Sequence, residues 1–224
     1  MRKWMALSMM ALSLAACNNQ AETEKTAAVD SMETEVTTEG PVRPDLKSTF
    51  PELYRYIAGQ QPEFTSHLEE AILLTIDSVP VRSFKKEDIA DFLPYLRFNA
   101  DSTLALDYVT YNYILQRRNG TTSLTGGGPD TEVALLNFKD STRRRILFRG
   151  PSETILDAYW EDPETVVMAG AVSHGADSAS LVLYRYKRGS SALELYEQKE
   201  PVPGSVSSYA ETVLNAPPKT SRGF

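Results

Sequence analysis

The sequence predicts an α+β fold: helices first, then a roughly seven-stranded antiparallel β-meander, either one curled sheet or a small sandwich. Three observations predict it. Apolar residues recur at spacings of three and four before Leu93. After Asn99 they recur at spacings of two. Between the period-two segments lie short polar turns, which suit antiparallel neighbours, because parallel crossovers need a dozen or more residues.

The first helix is expected from Ser48 or Thr49, either of which can cap it, to a stop at Gly59. Phe50, Leu53, Tyr54 and Ile57 form its stripe, and Pro51 suits a first turn, where a missing N–H costs nothing. A second helix is expected from Pro62 or Glu63, with Phe64, Leu68, Ala71, Ile72 and Thr75 on one side. A third runs from Lys86 to Leu93, with Ile89, Phe92 and Leu93 inward, and Pro94 kinks or ends it.

Strands follow over Leu104–Gln116, Glu132–Phe138, Arg144–Arg149, Thr154–Trp160, Thr165–Val172, Ser180–Lys187 and Ala192–Glu197. Their turns include Gly150-Pro151-Ser152-Glu153 and Glu161-Asp162-Pro163-Glu164. In the latter an acid can bond back to the backbone while proline presets the next φ. Trp160 is expected to be buried at a strand end, between sheet and helices. Residues 41–200 thus read as one α+β domain and 201–224 as an irregular tail.

The chain begins differently. Arg2 and Lys3 precede an apolar run from Trp4 to Ala16, followed by Cys17. A run of thirteen residues is too short for a bilayer, which needs about 20. A basic start, a short apolar segment and small residues before a cut site make an export signal. The segment Leu14-Ala15-Ala16-Cys17 resembles the lipobox of bacterial lipoproteins. That resemblance implies that residues 1–16 are removed as a signal peptide and that Cys17 is acylated. The mature chain would then be held by palmitate-type lipid at the cell envelope, outside the cytoplasm, with the outer membrane as the expected site.

Cys17 is the only cysteine, so no intramolecular disulfide can form and the domain must be stable from its core alone. From Asn18 to Gly40 there are six acidic residues, one lysine and no aromatic. Such composition cannot bury enough apolar surface to offset the entropy of ordering. Residues 17–40 therefore read as the lipidated cysteine and a disordered acidic tether, with a span of roughly 25–30 Å. Beyond it, 20 basic residues face 24 acidic ones over 41–224, a balance that argues against nucleic acid as a partner.

The chemistry is thin. His67 and His174 lack metal-type neighbours at useful spacing, and no nucleophile elbow or cysteine pair occurs. The run Gly126-Gly127-Gly128-Pro129-Asp130 is not a phosphate cradle, because no lysine and no helix follow it. It reads as a mobile loop between strands. Arg143-Arg144-Arg145 alternates across a strand start and reads as a solvated edge. No catalytic residue, metal or cofactor is assigned.

One inference about a site comes from connectivity. In an up-and-down meander, loops 118–130, 150–153 and 173–179 share one end of the sheet. They bring Arg117, Asp130, Arg149, His174 and Asp177 there as candidate ligand-binding residues, since binding groups tend to sit on long loops held by a rigid sheet. The reading that follows is a membrane-anchored binding or interaction module for an envelope protein or glycan. Its alternatives are an accessory subunit of an envelope complex or, further off, an envelope hydrolase.

The anchor can be tested directly. Cys17→Ser should abolish incorporation of labelled palmitate and leave the signal uncleaved by the lipoprotein route; continued labelling of the serine variant contradicts the assignment.

Overall fold

The computed structural model describes residues 43–76, 79–118 and 120–216. The signal, Cys17, the tether and the last eight residues lie outside that range. The described fold is dominated by antiparallel strands.

The strands form two open sheets rather than one meander. The first runs β1 (Ile72–Thr75), β12 (Ala192–Glu197), β11 (Ser178–Lys187), β10 (Thr165–Ser173), β9 (Glu153–Trp160), with β13 (Val202–Pro203) beside β11. The second runs β2 (Arg82–Ser83), β8 (Thr142–Arg149), β7 (Thr131–Asn137), β4 (Leu104–Asp107), β3 (Arg97–Phe98). A separate hairpin joins β5 (Tyr113–Arg118) to β6 (Thr121–Gly126). Six of the seven expected strands are present within a few residues of their expected bounds.

The expected meander breaks where β8 should pair with β9. At Gly150-Pro151-Ser152 the chain turns, with Glu153 N–H donating to Gly150 O, and passes to the other sheet. Division lets both sheets contribute to one apolar cluster, including Leu106, Val133 and Leu135 from one and Ile155, Met168 and Leu183 from the other. β7 is buried at six successive positions because its second face is covered too. There Leu136 and Ala105 pack under the 3-10 helix Lys86–Tyr95.

The expected strand Leu104–Gln116 is two strands with a turn between. The Asp107 carboxylate accepts from Val109 N–H at 3.0 Å and Thr110 N–H at 2.9 Å, which bends the chain. Asn112 then pairs with a backbone: its amide donates to Glu132 O and accepts from Glu132 N–H. One side chain thus stands in for a strand beside β7.

The helices need two corrections. α1 (Leu46–Thr49) and α2 (Pro51–Gln60) fall where the first helix was expected, with Pro51 opening α2. They place Leu46, Phe50, Leu53 and Ile57 in the core, where Phe50 meets the Tyr159 ring edge-on at 5.5 Å. The second expected helix is absent. The Gln198 side chain accepts from His67 N–H and donates to Thr65 O, holding that segment extended, and Ile72–Thr75 joins β12 as β1. An apolar run of this length is ambiguous between helix and strand, and the free edge of β12 decides it. The third expected helix is the 3-10 helix, with Pro94 near its end.

The expected irregular tail is also ordered where described. It carries β13, a 3-10 turn at Gly204–Ser208 and α3 (Tyr209–Asn215). Val206, Tyr209, Ala210 and Leu214, at spacings of three and four, are buried.

Arg97 joins the two sheets on one side. Its Nη2 lies 3.1 Å from Asp157 Oδ1, its Nε donates to Ala158 O, and its own carbonyl accepts from Trp160 Nε1 at 2.7 Å. Trp160 is therefore half-buried at the strand end, its indole spent on this seam. Arg97→Ala should cost on the order of 2–3 kcal/mol, the worth of charge-assisted hydrogen bonds, read as a lowered urea midpoint. An unchanged midpoint would show that the seam holds nothing.

Candidate functional site

Two clefts, each of about 140 Å³, flank the passage from β8 to β9. The first lies at the end where the long loops meet. Ser173 N–H donates to Ser152 O at 2.7 Å, so the 150–153 and 173–178 turns are adjacent. Residues 128–131, Pro151 and residues 153–155 line the cleft together with Asn112, Tyr113 and Glu211.

Glu153 is the central group. Its side chain is only 8% exposed. Oε1 accepts from the Tyr184 hydroxyl at 2.5 Å, and Oε2 lies 3.6 Å from Arg149 Nε. The Arg149 Nε also donates to the Tyr184 oxygen at 3.3 Å, and Thr131 donates its hydroxyl to Glu153 O. Gly170 leaves room for the carboxylate: a Cβ there would sit 3.5 Å from Oε1 and 3.1 Å from Val182. Burial raises the Glu153 pKa above its ordinary value of 4.5, against the opposing pull of Tyr184 and Arg149. Burial, with the neighbouring Glu153 next, also pushes Tyr184 up, so its phenol stays protonated and donates. Tyr113, pushed up to about 12 chiefly by burial, adds a second neutral phenol.

The sequence-derived candidates separate in space. Asp130 lines this cleft, and Arg149 reaches it through Glu153. His174 and Asp177 do not line it. The His174 Nε2 is 2.7 Å from Ser180 Oγ, and Asp177 O accepts from Gly204 N–H. Both belong to a turn packed against Gly204, whose added Cβ would meet Ala176 O at 2.3 Å. Arg117 lies elsewhere, on the β5–β6 hairpin, paired with Asp91 of the 3-10 helix. Half of the loop expected to bring it to the site is strand β6.

The glycine run is exposed, but two of its three residues are tethered through their backbone amides. Gly126 N–H donates to Glu211 Oε1, and Gly127 N–H donates to Asn112 O. A Cβ on Gly127 would come within 2.9 Å of the Ile114 side chain and 3.2 Å of its backbone nitrogen. Glycine is needed there for close approach, not for mobility.

The second cleft opens between β1 and β8. It is lined by Leu74, Thr75, Ile76, residues 145–149 and Leu193. On the outer face of β8, Arg143 pairs with Glu132 and Asp107, and Arg145 sits 3.7 Å from Glu132 Oε2 and over the Phe148 ring. Tyr111 meets Phe148 edge-on at 6.2 Å. Arg149 lines this cleft as well and so connects the two. Among the described residues, no group of three or more His, Cys, Asp or Glu could hold a metal, and no helix is long and apolar enough to cross a membrane.

No protein-family model, curated protein or solved structure matches the chain.

Sequence reasoning missed Glu153, Tyr184 and Asn112. Glu153 stood in a turn, and nothing along the chain marks a lone acid as buried. The raised carboxyl pKa gives a test. Folding favours protonated Glu153, so this contribution is fully present below about pH 4.5 and is lost as pH rises through the higher folded-state value. Relative to Glu153→Gln, the native protein should lose unfolding free energy across that window. Parallel pH profiles for the two proteins would contradict a raised value.

Proposed function

We propose that this chain is a lipid-anchored bacterial lipoprotein that acts outside the cytoplasm as a binding module at the cell envelope, with the outer membrane as its site. Leu14-Ala15-Ala16-Cys17 supports the anchor. The single observation that carries the binding role is the surface around the β1–β8 cleft. There Leu73 is 71% exposed, Ile72 52% and Phe148 38%, beside the arginines of β8. Exposed aromatic and aliphatic groups flanked by arginine are the composition of contact surfaces with other macromolecules. Cleft size supports the same reading, since pockets for small ligands usually hold about 300–1,000 Å³.

A buried acid with raised proton affinity at a cleft also fits a hydrolase. In this chain both carboxylate oxygens already face internal partners, Tyr184 and Arg149, so the binding role fits Glu153 better as a structural acid.

The test is photo-crosslinking in intact cells. A photoreactive residue at Phe148 or Leu73 should give adducts with another envelope component, and one at Arg188, in the turn between β11 and β12, should not. No adducts from either cleft position, or equal adducts from all three, would contradict the module.

A further inference from the structure

The β1–β8 cleft is bounded by two strand edges that have no ladder partner among the described residues. β1 pairs with β12 alone. β8 pairs with β7 along its length but with β2 only at Thr142 and Arg143. In that short register Pro80 falls opposite Arg145, and proline has no amide to donate, so the ladder stops.

Hydrogen-bond phase fixes which groups face the gap. Ile76 N–H donates to Ser191 O, in register with Leu74–Leu193 and Ile72–Leu195. Antiparallel pairs alternate, so Ile72 and Leu74 point their amides at β12 while Leu73 and Thr75 point theirs into the cleft. On β8, Phe84 N–H donates to Ser141 O, in register with Arg82–Arg143. Arg145, two residues on, therefore turns its backbone groups the same way, past the end of β2.

The side chains show the same incompleteness. Ile72 lies on the face that carries the buried Leu193 and Leu195, yet it is half exposed because no strand lies beyond β1. β2 and β8 together carry Arg82, Arg143, Arg144, Arg145 and Arg149. The acids that meet them are Asp107, Glu132 and Glu153. Arg82, opposite Arg143 on the outer face, has no ion pair among the described residues, whereas Arg144, opposite Leu135, turns to the inner face; β1 carries no charge.

We propose that this cleft binds an extended acidic peptide segment of a partner protein as an added β-strand. The peptide's backbone would pair with the cleft-facing groups of Leu73, Thr75 and Arg145. Its inward residues would be apolar, covering Ile72 and Leu74, and its outward residues acidic, meeting Arg82, Arg143 and Arg145 on the outer face. Strand addition gives affinity through main-chain bonds and specificity through alternate side chains. This rests on the binding-module reading and names its partner class.

The test uses the full chain in detergent micelles and a fluorescent peptide of about nine alternating valine and glutamate residues, the length of a long strand. Saturable binding by anisotropy is expected. Affinity should fall at least about tenfold when lysine replaces glutamate, when alternate peptide amides are N-methylated, and in the variants Leu73→Pro and Arg82→Glu. Leu73→Pro removes a cleft-facing donor but leaves the β1–β12 ladder intact. Unfolding midpoints for both variants should stay near that of the native protein; if Leu73→Pro unfolds, the N-methylated peptide and Arg82→Glu decide. Equal binding of the lysine peptide, undiminished binding of the N-methylated one, or no binding at about 1 mM overturns the proposal. So does a peptide-free dimer abolished by Leu73→Pro, which would give the cleft to a second copy. Failure here with adducts from Phe148 intact removes strand addition alone; failure of both removes the module.

Discussion

Arg97 ties β3 to β9, and this one-sided closure decides which edges of the molecule stay free. The guanidinium meets the Asp157 carboxylate and the Ala158 carbonyl, and the Trp160 indole returns a bond to the Arg97 carbonyl. Two open sheets joined along one side must end in two edges on the other. Those edges are β1 and, beyond the two residues of β2, β8, and the cleft between them follows from the closure. The arginine also lies over the Tyr108 ring in the core, so the seam is packed as well as paired.

The turn at Gly150-Pro151-Ser152 is the second consequence. It carries the chain from the free edge of one sheet to the seam edge of the other. Arg149 closes the first strand and Glu153 opens the next, and their contact with Tyr184 draws the two sheets together at that corner. The charge on Glu153 is compensated by an arginine that also faces the free edge. Protonation at the corner and occupancy of the β1–β8 cleft therefore share a residue.

Much of the strand content was legible because alternation and short turns are local signals. β9 through β12 could be read within two residues, and α2 from its stripe and Pro51. Partition into two sheets could not, since it depends on Arg97 meeting Asp157 across sixty residues. The break after Asp107 had a cue in Asp107 and Asn112, both turn formers, but period-two spacing through Tyr108 and Thr110 masked it. Ile72–Thr75 looked helical because a stripe of apolar residues ignores what neighbouring edge is available. At the site, long loops were placed at one end, which brought in Asp130 and Arg149. Arg117 was misplaced because β6, rich in threonine and glycine, resembles a loop. Glu153 carries no local mark of burial.

Amide hydrogen exchange along β1 and β8 tests the one-sided closure most directly. The fold requires alternation: Ile72 and Leu74 protected by β12, with Leu73, Thr75 and Arg145 exchanging freely into the cleft. Uniform protection of Leu73 and Thr75 at the level of Leu74 would mean that the two edges are joined, and that no open cleft exists.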